Sequence, residues 1–314
     1  MALRVDRPLL ALVAALAWAA GLPAVAGKLN GFDLDGAAVP AREIERGGPP
    51  RDGIPALDLP PATSRSTTPF PDDALVIGVT LGGDARAYPI PMLARHELVN
   101  DRLGGRSILV SYCPLCGTGI VFDRVIEGRA LRFGVSGLLW RSDVLMYDRE
   151  TESLWSQIDA RAISGSRKGH ELVIVPSKMT RLSAWASEHP RTTVMSPGEA
   201  GLRPYRRMPY PGYEKSRQVW FRAPHSKEFH PKTITLGLRA GSEARAYPAP
   251  EVEAAGGVVT ERFAGAEVTV RWEPENRGFS VDKPDSIDAI QGYWFAWSAF
   301  HPETSVFRAP AAPR

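Results

Sequence analysis

The stretch VTLGGDARAYPIP (79–91) returns as LRAGSEARAYPAP (238–250), with ARAYP intact at Ala85–Pro89 and Ala244–Pro248. Three more correspondences come in the same order. NDRLGGRSILVSYCP (100–114) matches TERFAGAEVTVRWEP (260–274), TGIVFDR (118–124) matches RGFSVDK (277–283), and WASEHPRTTV (185–194) matches WSAFHPETSV (297–306). Self-similarity that keeps its order marks an internal repeat. It predicts two related lobes, the second lacking most of the segment from Gly134 to Val175.

Local patterns point to strands. ALVIGVTL (74–81), a GGD turn and ARAYPI (85–90) read as a hairpin. SILVSY, IVFDRVI, LRFGVSG and SDVLMYDR continue the β pattern, and 29 Gly with 28 Pro interrupt any long helix. Short helices are predicted within PMLARHELVNDRL (91–103) and RLSAWASEHP (181–190). The expected fold is therefore α+β and β-rich, with two related lobes from a degenerate internal duplication. The expected layout is a leader at 1–26, a Pro/Gly-rich lead-in at 27–71, a first lobe at 72–196, a connector at 197–235 and a degenerate second lobe at 236–314.

Arg4 and Arg7 precede an apolar run, Leu9 to Ala20, and LPAVAG comes next with Ala24 and Ala26 where a signal peptidase reads. The mature chain is expected to begin near Gly27 and to work in the periplasm or outside the cell. A membrane span needs about 20 apolar residues, and no segment after the leader supplies one. Lys and Arg total 38 against 35 acids, a net +3 spread along the chain. Nucleic acid is not an expected partner, and no other partner is indicated. The densest basic patch, PYRRMPYPGYEKSR (204–217), reads as a solvated loop.

The only cysteines, Cys113 and Cys116, lie in SYCPLCGTGIVFD (111–123). Glycines and β-formers after CPLC predict a turn between strands, not the helix N-terminus of a thioredoxin site. Neither cysteine has a counterpart in the second copy, so the strands do not need them, and they are better candidates for a site than for the framework. A knuckle of this form supplies two thiolates to copper or zinc. His96, also confined to the first copy, is the expected further ligand. Glu97, Asp101, Ser142, Asp143, Met146 and Asp148 are candidate pocket residues. A His–Met set would favour copper, and added His or carboxylate zinc. Two alternatives stay open: a thiol–disulfide redox protein, and a non-enzymatic binding or scaffold module with a structural disulfide. No hydrolase, nucleotide-binding or metalloprotease motif is present.

GGPPRDGIPALD, DDALVIGVTLGGDARAYPIPMLARHELVND, VSYCPLCGTGIVFDR, GVSGLLWRSDVLMYDRETESLWSQ and FAWSAFHPETSV resemble an exported bacterial and archaeal family, DUF3179, from about Gly47 to Val306. The family usually has Trp before the histidine of ARHELVND, where this chain has Arg95. The resemblance implies no reaction.

Overall fold

The hairpin forms as antiparallel strands Leu75–Leu81 and Asp84–Pro89. Gly82 and Gly83 close it at positive φ, a conformation open to glycine at no steric cost. The structure, a computed structural model, describes residues 27–310. The leader expected at 1–26 lies outside the described residues.

The strands do not gather into two α+β lobes. Among the described residues strand makes up 42% and helix 15%, and the four α-helices are six or seven residues long. Such helices form corners and cannot cover a sheet as a layer. The strands instead build five sheets of three to five strands, plus a short two-stranded ribbon. The five sheets are arranged as the blades of a β-propeller. Radial packing of blades leaves only short edges exposed. The unit that repeats is the blade, which is why the two-lobe reading fails.

Two blades carry most of the residues singled out in the sequence. One, here the cysteine blade, contains Leu98–Leu103, Arg106–Cys113, Thr118–Asp123 and Val173–Val175. The other, the aspartate blade, contains Phe133–Trp140, Asp143–Asp148, Leu154–Ser156 and Arg161–Ala162. The lead-in supplies an edge strand to each: Leu57–Asp58 pairs with Leu98–Leu103, and Ile44–Arg46 with Phe133–Trp140. A third lead-in strand, Ala62–Ser64, pairs with Thr193–Met195 on the blade that holds the hairpin.

The sequence correspondences fall on blade corners built alike. Gly78 lies under Trp185 and Gly237 under Trp297, so close that a Cβ would sit 2.3 Å and 2.1 Å from the rings. His189 packs on Trp185 and His301 on Trp297, with ring centroids 4.0 Å and 4.1 Å apart. Tyr88 and Arg86 share Asp101 as Tyr247 and Arg245 share Glu261. The helix predicted within 91–103 covers only Ile90–His96. Glu97 then turns at φ 59 and Leu98–Leu103 runs as a strand.

Candidate functional site

Strand Arg106–Cys113 ends on Cys113, and Thr118–Asp123 begins after Pro114–Gly117. Gly117 makes the return at φ +61, and a Cβ there would lie 2.9 Å from the Tyr293 ring. The turn faces inward: Cys113 and Cys116 are free thiols, 1% and 0% exposed, inside the largest core cluster.

A second turn meets it from the aspartate blade. Arg141 and Ser142 both have positive φ, 52° and 68°. Two successive non-glycine residues in this region are strained, and such strain persists where the surroundings enforce it, often at sites. The Ser142 carbonyl accepts from both thiols, at 3.3 Å from Cys116 and 3.9 Å from Cys113. The next residue, Asp143, brings its carboxylate to the sulfurs. Ligand atoms of Cys113, Cys116 and Asp143 all lie within 4.8 Å of one another, and the group can hold a metal ion.

Asp143 Oδ2 accepts the Ile158 N–H at 3.1 Å. Its Oδ1 and the Ser142 hydroxyl are buried without a hydrogen-bond partner among the described residues. Leaving a buried polar atom unpaired costs about 1–3 kcal/mol, more for a charged group. Burial raises every acid here. It pushes the Asp143 carboxyl up to about 7, with the Ile158 N–H and the thiols offsetting part of the effect. It pushes the Cys113 thiol up and the Cys116 thiol well up. Burial, then the Asp143 charge, lifts Glu97 to about 8. Buried Lys232 is a nearby cation, its amine pushed down to about 8 by burial. Its Nζ donates to the Gln218 and Ser216 carbonyls at 2.7 Å and 3.2 Å and lies 4.1 Å over the Tyr213 ring.

Of the residues singled out in the sequence, Cys113, Cys116, Ser142 and Asp143 meet here, and Glu97 stands beside Asp143. His96 points elsewhere: its Nδ1 pairs with the Pro55 carbonyl at 2.8 Å and its Nε2 with the Tyr205 hydroxyl at 3.0 Å. Asp101 is taken by Arg86 and Tyr88. Asp148 holds Thr151 and the Trp155 indole, and Met146 is packed in its strand opposite Val135 and Trp155. Gln157 braces the loop from below through Thr118 and Ser111, at 2.7 Å and 2.8 Å.

Sequence reasoning missed the tyrosines. A cavity of about 410 Å³ adjoins the loop, lined in part by Pro114, Gly117, Tyr112, Tyr210, Tyr213 and Tyr293. The stretch 204–217 keeps its charges in solvent but buries Tyr213. The signal was the repeated tyrosine in YPGY (210–213). Among the described residues, no helix is long and apolar enough to cross a membrane.

No curated protein and no solved structure matches the chain. Residues 51–284 match the family described as "Protein of unknown function (DUF3179)", a span that holds both cysteines, Asp143, Glu97, Tyr213 and Lys232. With most of its length and its whole cysteine–aspartate cluster inside that match, the chain belongs to the DUF3179 family.

Proposed function

We propose that Cys113, Cys116 and Asp143 form a metal centre and that the metal is zinc. The observation that carries this reading is Asp143 Oδ1, a buried carboxylate oxygen without a hydrogen-bond partner among the described residues, beside two buried thiols. Ionising three buried acids in one place is costly unless a cation joins them. Metal binding releases their protons and supplies that cation. Two thiolates with a carboxylate suit zinc; a histidine and a thioether beside the sulfurs would suit copper. Three protein ligands leave the fourth position open, the pattern of zinc sites that act on a bound molecule.

Thiol–disulfide exchange is less well supported. It needs an accessible sulfur with a lowered pKa, and burial here hides both thiols and raises them. The leader pattern in the sequence supports a location outside the cytoplasm, where a metal would also shield the dithiol from oxidation. N-terminal sequencing of the exported protein, expected to start near Gly27, checks that location.

Elemental analysis and cobalt titration of reduced protein test the centre. One metal per chain and a thiolate-to-cobalt absorption band are expected, both lost in Cys113→Ser. Protein that takes up no stoichiometric metal, with or without reductant, would refute the reading.

A further inference from the structure

We infer that the helix Trp294–Phe300, contributed by the second half of the chain, sets the spacing between the two turns of the cysteine–aspartate centre, and that Arg141 is the positioning residue through which it acts. This rests on the proposed metal centre for its effect on metal affinity and on the turns themselves for the rest.

Trp140 pairs with Asp143, so Arg141 and Ser142 are the two-residue turn of a hairpin. Both have positive φ, as a type I′ turn requires, and Asn and Gly are the residues that adopt it readily. Arg and Ser do not, so the turn needs support from its surroundings. The Ser142 carbonyl of this turn accepts from both thiols, and the residue after it is Asp143, the third member of the cluster. Relaxing the turn would uncover the sulfurs and withdraw the carboxylate together.

The helix supplies that support. The Arg141 guanidinium donates to the Ala299 carbonyl in the last turn of Trp294–Phe300, where a helix leaves carbonyls unpaired and favours a cation. Its Cζ lies 4.7 Å from the Trp140 ring and 5.8 Å from the Phe300 ring, and those two rings meet edge-on with centroids 5.0 Å apart. At the other end, the N–H of Tyr293, the residue before the helix, donates to the Cys116 carbonyl at 2.8 Å. One end of the helix thus holds the cysteine turn and the other holds the aspartate turn. All seven helix residues are buried, and six belong to the core cluster that contains both cysteines. A helix of this length spans about 10 Å and cannot stretch without losing its own hydrogen bonds, so it fixes the gap between the turns.

Three variants of the full-length protein test this. Arg141→Met keeps an apolar stem for the two rings and loses the donor. Arg141→Asn with Ser142→Gly also loses it, but installs a turn that holds its shape unaided. Ser298→Ala removes a different contact of the same helix, the acceptor for the Ser226 N–H at 3.2 Å, and serves as control. Zinc affinity is measured by chelator competition, coordination by the cobalt spectrum, and thiol cover by the rate of iodoacetamide labelling of zinc-free, reduced, folded protein. Arg141→Met should weaken zinc at least about tenfold, the usual scale for a lost outer partner of a metal site. It should also shift the cobalt bands and label several times faster. The Asn-Gly variant should recover most of the affinity and the slow labelling, and Ser298→Ala should match wild type in all three. Wild-type affinity, spectrum and labelling in Arg141→Met overturn the inference. So does an Asn-Gly variant no better than Arg141→Met, or a Ser298→Ala variant as impaired. A wild type that takes up no zinc, with labelling still faster in Arg141→Met alone, would uphold the positioning role and refute the metal centre.

Discussion

Replacing Asp143 by Asn should stabilise the metal-free protein and cripple the metal-bound one. The amide keeps an oxygen for the Ile158 N–H, so the local hydrogen bond at 3.1 Å survives. What disappears is a buried carboxyl whose folded pKa is about 7 against an ordinary 3.8. Below pH 4 the group is protonated both folded and unfolded, and costs nothing. Between about pH 4 and 7 the unfolded chain ionises it and the folded chain does not, so stability falls as pH rises. Each tenfold in proton affinity is worth about 1.4 kcal/mol, which gives a ceiling of about 4 kcal/mol at pH 8. Glu97, which the Asp143 charge helps to hold near 8, titrates with it. A share of about 2 kcal/mol is therefore assigned to Asp143. Urea unfolding in chelator at pH 8, monitored by tryptophan fluorescence, should show Asp143→Asn more stable than wild type by that amount, with the gap closing at pH 4. Excess zinc should reverse the order, because it stabilises only the form that binds it. A variant less stable than wild type in chelator at pH 8, or protected by zinc as well as wild type, would show that the carboxylate is a structural acceptor.

The same geometry sets other outcomes. His96→Ala should keep the metal stoichiometry and cost about 1–2 kcal/mol in urea unfolding, the worth of its bonds to Pro55 and Tyr205. Burial, and then Arg239 and Arg141, push His301 down to about 4. Its contribution is thus complete above pH 6.5 and lost toward pH 4, about 3 kcal/mol in all. His301→Phe, which keeps the stack on Trp297, should unfold with a shallower acid slope; an unchanged slope would contradict the assignment. Gly237→Ala, whose Cβ would meet Trp297 at 2.1 Å, should lower stability by about 3 kcal/mol and leave the cysteine site able to bind metal once folded.

How much of this could be read in the sequence depends on how local each cause is. The hairpin Leu75–Leu81 with Asp84–Pro89 and the helix Leu182–Glu188 were legible, because turn glycines and an apolar period act over a few residues. The number of blades was not. Thr193–Met195 pairs in parallel with Asp84–Pro89 and antiparallel with Ala62–Ser64, choices made across long stretches of chain. The cysteine turn was legible from its flanking strands. Asp143 was one polar residue among several, because what singles it out is a strained turn on another blade. His96 was the nearest imidazole in sequence. The helix ends on it, however, and it is the next residue, Glu97 at positive φ, and not the histidine, that stands near Asp143. Tyr213 arrives on a loop without periodicity, and only tertiary packing brings it into the core cluster that holds the cysteines.

The Cys116 carbonyl accepts the Tyr293 N–H at 2.8 Å, so the turn that carries the sulfurs also fastens the cysteine blade to the strand Asp288–Tyr293. The rivet is main chain and the reagent is side chain. Substituting a sulfur by oxygen silences the chemistry and leaves the seam shut. Shortening the turn, or placing a side chain at Gly117 or Gly292, opens the seam even with both sulfurs in place. Genetic lesions in this one turn should therefore sort into two phenotypes, inert but abundant protein and scarce protein, with the boundary drawn between thiol and backbone.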